Sequence, residues 1–116
     1  RRVLGAAPEV YVHALKVQLD PDRADFEVGV QWYFSDTRTD ASLRIRRGVA
    51  IPGKNDSAAD ITLDLDLPTW AALYAGETTA SDAEVAGDLT VTGDRTMLAS
   101  FFAAFDQPQL AGSFLT

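Results

Sequence analysis

The run Gly87-Asp88-Leu89-Thr90-Val91-Thr92-Gly93-Asp94 leads directly into Met97, Leu98, Phe101, Phe102 and Phe105, and this junction limits the fold more than any other stretch. Gly87 can stop a preceding helix, Leu89 and Val91 alternate with Thr90 and Thr92 as a short strand, and Asp94 can cap a new helix. The five apolar positions after Asp94 share one helical face. A helix that starts so soon after a strand folds back over the sheet, so the pattern predicts helices layered on strands.

The sheet is legible upstream. From Phe26 to Ser35 the alternation puts Phe26, Val28, Val30, Trp32 and Phe34 on one face and Glu27, Gly29, Gln31, Tyr33 and Ser35 on the other, which predicts a half-buried antiparallel strand. Turn residues Asp36 to Asp40 lead to a second strand, with Ala41, Leu43 and Ile45 inward and Ser42, Arg44 and Arg46 outward. Arg47-Gly48 allows a tight reversal into a third strand at Val49, Ala50 and Ile51, and a loop is expected from Pro52 to Ser57. A fourth strand is expected with Ala59, Ile61, Leu63 and Leu65 inward and Asp60, Thr62, Asp64 and Asp66 outward.

The period then changes. Pro68 suits a first helical turn, Trp70, Leu73 and Tyr74 share a face, and Gly76 supplies a stop. Thr79 followed by Asp82 resembles a capping box for a short helix ending at Gly87. An opening helix is expected from Pro8 to Asp20, with Glu9, His13, Lys16 and Asp20 wet and Val12, Leu15 and Leu19 buried. Gln107-Pro108 is read as the end of the last helix, leaving a tail to Thr116 without assigned order. The sum is an α+β layer of consecutive antiparallel strands with helices on one face.

Length and charge narrow the function. A chain of 116 residues makes one domain with room for a core, and 47% hydrophobic against 23% charged residues makes it globular. Its net charge of −7 repels phosphate backbones and anionic headgroups, which argues against nucleic acid. No apolar run is long enough to span a bilayer, so a soluble protein of the bacterial cytoplasm or periplasm is expected. Cysteine is absent and His13 is the sole histidine, so neither a thiolate nucleophile nor a three-ligand zinc site can be assembled.

The remaining polar candidates carry little chemistry. Asp60, Asp64 and Asp66 line one strand face, too straight for a calcium loop, and read as a solvated surface. Arg44, Arg46 and Arg47 could meet an anionic head or an acidic neighbour, but pairing with Glu27 or a nearby aspartate is the simpler role. Ser81 and Ser100 lack a histidine partner, and the glycines around Gly87 and Gly93 lack nucleotide-loop spacing. No catalytic residue is assigned. The aromatics Trp70, Tyr74, Met97 with its thioether, Phe101, Phe102 and Phe105 read either as ordinary core or as the lining of an apolar channel.

Taken together, Trp32-Tyr33-Phe34-Ser35-Asp36-Thr37, Asp60-Ile61-Thr62-Leu63, the Leu73/Gly76 helix end and Gly87 to Asp94 resemble the sterol carrier protein 2 fold. More narrowly, they resemble its version at the C-terminus of zinc-dependent alkylsulfatases of the metallo-β-lactamase superfamily. The likeness runs from about residue 8 to residue 106, within a single domain covering 1–116. It implies a sheet of about five strands, mainly antiparallel, in a C-terminal piece of a larger hydrolase, a view that the start at Arg1-Arg2 rather than Met also suggests.

It further implies a module that binds a long alkyl or lipid chain and recruits alkyl sulfate for an N-terminal catalytic domain, whose zinc ions lie outside this chain. Trp32, Phe34, Leu43, Trp70, Tyr74, Met97, Phe101 and Phe105 are the expected ligand-binding residues. No cofactor is expected in the domain itself. A free-standing carrier of sterols or fatty acyl groups, and a ligand-free structural or homodimerising domain, are the alternatives.

Overall fold

The computed structural model describes residues 18–105 and 108–114 together with Val12 and Leu15. The opening helix expected from Pro8 falls almost wholly outside the described residues, His13 with it; Val12 and Leu15 are described and fully buried. Asp20 accepts from the amide of Asp22 and starts a single 3-10 turn, Pro21–Arg23, which leads to the sheet.

Five strands follow one another in space as β3-β2-β1-β4-β5. Strand β1 spans Glu27–Phe34, β2 Thr39–Arg46, β3 Val49–Gly53, β4 Ile61–Leu65 and β5 Leu89–Thr92. The helices are α1, Leu67–Ala75; α2, Ala80–Val85; α3, Arg95–Ala103; and α4, Pro108–Ser113. The first three strands form the expected antiparallel meander, with Trp32 opposite Ala41 and Val30 opposite Leu43. Arg47 and Gly48, both at positive φ (46° and 82°), make the two-residue turn that matches the twist of a hairpin.

The expectation of consecutive antiparallel strands fails at β4. It lies beside β1, not β3, and runs parallel to it, with Trp32 opposite Leu63 and Phe34 opposite Leu65. A parallel neighbour requires the chain to cross the sheet, and Lys54 to Asp60 make that crossing over the face opposite the helices.

The outward residues of β1 therefore serve this loop rather than water. Gln31, read as outward and polar, is buried: its Nε2 donates to the carbonyls of Trp32, Ala41 and Lys54 at 3.0–3.1 Å, and its Oε1 accepts from the amide of Asp56 at 2.7 Å. Arg44 reaches over the strand to Asp56 (2.9 Å), Glu27 (3.0 Å) and the carbonyl of Ala58 (3.0 Å). A side chain at Gly29 would strike this layer, because an added Cβ would lie 2.5 Å from Asp56 Oδ2 and 2.6 Å from Arg44 Nη2.

Three further expectations are corrected. Strand β3 continues through Pro52 and Gly53, where a loop was expected; an edge strand tolerates a proline because one side of its backbone needs no partner. Asp60 and Asp66 are not merely solvated. Asp60 accepts from the Gly29 amide at 2.9 Å, and Asp66 caps α1 by accepting from the Thr69 amide at 2.8 Å. The tail beyond Pro108 forms α4, with Leu110 and Phe114 buried, because proline is as well suited to begin a helix as to end one.

The other boundaries follow their chemistry. Gly76 stops α1 in a left-handed conformation, Thr79 accepts from the Asp82 amide, and Asp94 accepts from the amides of Thr96 and Met97. The inward sides of all five strands and the buried faces of the helices form a single core.

Candidate functional site

The core between sheet and helices is an aromatic cluster built on β1. Because β1 is central, Trp32 stands in the middle of the inner face, under α1 and α3. Its ring meets Trp70 edge-on at 5.4 Å and 76°, and lies 6.2 Å from both Phe101 and Phe102. Phe101 contacts Phe102 at 5.5 Å and Phe105 at 5.0 Å, while Trp70 lies 5.9 Å from Phe102 and 6.1 Å from Tyr74. These separations are those of rings in direct contact.

Of the eight expected ligand-binding residues, Trp32, Phe34, Leu43, Trp70, Phe101 and Phe105 are buried in this core, and Tyr74 and Met97 pack against it half-buried. The structure thus gathers all eight into one cluster, in a packed state. The Tyr74 hydroxyl is tied by Gln18 Nε2 at 2.6 Å.

Phe114 belongs to the same cluster and was missed. It stacks on Phe102 at 5.5 Å and 23° and is 1% exposed. Leu110 and Phe114 stand four residues apart after Pro108, a helical spacing that could have revealed it. Arg95 fastens this corner: its guanidinium sits 5.9 Å over the Phe114 ring and pairs with both carboxylate oxygens of Glu84, at 2.7 and 3.0 Å.

Two surface clefts bear on access. One, of about 330 Å³, is lined by Phe26, Glu27, Val28, Thr96, Met97 and Ser100, and opens at the start of β1 beneath α3. It is mainly apolar, and Met97 is the expected ligand-binding residue on its wall. A larger cleft of about 510 Å³ lies between α1 and α2, where Pro68, Ala72, Ala83 and Ala86 alternate with Asp66, Asp82 and Asp88, and none of the eight expected ligand-binding residues lines it. Among the described residues no group of histidines and acids is placed to hold a metal ion. Two of the three arginines of the basic cluster are paired: Arg44 is spent on Asp56 and Glu27, and Arg46 approaches Glu27 at 3.9 Å.

One polar atom stands apart. The Trp32 indole Nε1 is buried and has no hydrogen-bond partner among the described residues.

An antiparallel meander, a parallel strand inserted beside β1 and helices on one face define the sterol carrier protein 2-like fold. Sterol carrier protein 2 of Yarrowia lipolytica in its apo form matches with a TM-score of 0.59 at 16% identity, over 86% of this chain and 90% of that one. A palmitated sterol carrier protein 2-like protein of Aedes aegypti matches at 0.61 and 16% identity, over 84% and 92%.

Within that fold the chain belongs to the alkyl sulfatase C-terminal family, whose model matches residues 5–111. An (R)-specific secondary-alkylsulfatase of a Pseudomonas species is 29% identical over 102 residues, which are 85% of this chain and 15% of that protein. The structure of a stereoselective inverting secondary alkylsulfatase from Pseudomonas matches with a TM-score of 0.77 at 27% identity, over 85% of this chain and 16% of that one. The chain spans about 15% of the length of the alkylsulfatase it resembles.

Proposed function

We propose that this domain binds the hydrocarbon chain of an amphiphile, and that in a parent protein of the alkylsulfatase kind it gathers a long-chain alkyl sulfate for a zinc-dependent hydrolytic domain elsewhere. The observation that carries the reading is the largely apolar aromatic cluster between sheet and helices, with the Phe26/Val28/Met97 cleft at its edge. The fold neighbour from Aedes aegypti is described as palmitated, which is consistent with such a use of the fold. A chain entering under α3 would displace packing contacts among Trp32, Phe34, Leu43, Trp70, Tyr74, Met97, Phe101 and Phe105. The chemistry stays with the other domain, and this one needs no metal of its own.

Magnitudes permit this. Burying a dodecyl chain yields about 9 kcal/mol at ~0.8 per methylene, and association costs at least ~4, so the surplus is at most about 5 kcal/mol and the Kd no tighter than the sub-millimolar range.

The tightness of the ring contacts favours a second reading, a structural domain that offers only a surface, including to a second copy. A titration of the amide resonances with dodecyl sulfate below its micelle concentration separates the two. Saturable shifts at Trp32, Trp70, Tyr74 and Phe101 support chain binding; an unchanged spectrum up to denaturation leaves the structural role. In a parent chain that carries the hydrolytic domain, Met97→Asp is expected to raise KM for dodecyl sulfate more than for a short-chain sulfate, and an equal effect on both would remove the recruiting role.

A further inference from the structure

Among the described residues, buried polar side chains generally have partners. The Gln31 amide meets three carbonyls and an amide, the half-buried Tyr74 hydroxyl meets Gln18, and Ser113 Oγ accepts from the amide of Ala80. Among the described residues Trp32 Nε1 is the exception, a full N–H donor removed from water with no oxygen or nitrogen to receive it. Such a group is destabilising as it stands, and a phenylalanine would fill much of the same space without the penalty. The rings that touch Trp32, from Trp70, Phe101 and Phe102, offer only π faces, which are weaker acceptors than an oxygen.

Its place is also particular. Trp32 lies on the central strand between Ala41 of β2 and Leu63 of β4, with small Ala41 leaving the indole as the bulk of that row. On the same inward row, four residues earlier, Val28 lines the apolar cleft under α3. Four strand residues span roughly 13 Å, within reach of a medium-length aliphatic chain entering there.

We propose that the Trp32 indole N–H is the polar anchor of the chain-binding site, donating to an acceptor oxygen carried by an otherwise aliphatic ligand, such as a hydroxyl or carboxylate. The proposal rests on the chain-binding reading and adds a selectivity to it. An apolar pocket with one fixed donor orients its ligand and discriminates against chains that lack an acceptor.

The test follows the indole N–H resonance of Trp32 in ¹⁵N-labelled protein, assigned by its loss in Trp32→Phe or by its persistence in Trp70→Phe. The probes are decan-1-ol and decanoate, which carry an acceptor, and decyltrimethylammonium, which has a similar chain and none. The expected result is a saturable downfield shift of the Trp32 indole proton with the first two only, while the Met97 methyl responds to all three. Trp32→Phe is expected to weaken decan-1-ol two- to tenfold more than it weakens decyltrimethylammonium, about one hydrogen bond.

If all three probes bind and the indole proton moves alike for each, or for none, the anchor is refuted and chain binding stands. If none binds, the chain-binding reading falls and the anchor with it. Should Trp32→Phe fail to fold, the indole shift in the unaltered chain, assigned through Trp70→Phe, decides the matter.

Discussion

Replacing Gln31 by Met removes four hydrogen bonds while nearly keeping the side chain's length and volume. Two of those bonds, to the carbonyls of Trp32 and Ala41, go to backbone groups of the β1–β2 ladder itself and count for little. The other two, to the Lys54 carbonyl and from the Asp56 amide, are what hold the crossover against the sheet. At about 1 kcal/mol each, the loss is about 2 kcal/mol, or about 6–10 °C in Tm for a domain of this size. Urea unfolding gives the first number and thermal unfolding the second. Hydrogen exchange localises the effect: the Asp56 amide is expected to lose protection while the β1–β2 ladder keeps its own. A stability within about 0.5 kcal/mol of the parent, with Asp56 still protected, would refute the claim that Gln31 pins the loop.

Other outcomes follow from the same structure. Gly29→Ala pushes a methyl into the Arg44–Asp56 pair and is expected to cost about 1–3 kcal/mol in urea unfolding; a neutral change would show that the two side chains move aside freely. Phe114→Ala opens a cavity beside Phe102 and is expected to cost about 3 kcal/mol, with loss of helical signal from α4; a cost below about 1 kcal/mol would mean that α4 is only loosely docked. Arg47→Asn relieves a non-glycine residue held at φ 46° and is expected to stabilise by about 0.5 kcal/mol, a gain that thermal unfolding would register and whose absence would count against strain in that turn.

Much of this was legible because local rules and tertiary structure agree. The alternation along β1 and β2, the Arg47-Gly48 reversal and the caps at Thr79 and Asp94 can each be read from a few neighbouring residues. The parallel pairing of β4 was not, since strand alternation says which face a residue takes and nothing about which strand lies alongside. Gln31 shows the cost of that gap: by period it belongs on a solvated face, and only the crossing loop turns that face into an interior. The aromatic cluster was visible as residues and not as a packing state. Phe114 was hidden because a proline suits the first turn of a helix as well as the position after its end, and the solitary Trp32 N–H could not be foreseen, because whether a donor finds a partner depends on every element around it.

The crossing of Lys54 to Asp60 also bears on how the chain reaches its native state. Strands β1, β2 and β3 are joined by short turns and can pair as soon as they are made, whereas β4 must be carried over the finished hairpins before it meets β1. The Gln31 contacts with the loop are then late events, so Gln31→Met should speed unfolding far more than it slows refolding. Until β4 arrives, one side of the middle strand presents an open row of amides and carbonyls to any other chain. The rate at which a short polar loop settles on Gln31 and Arg44 thus sets how long the nascent domain is exposed to aggregation.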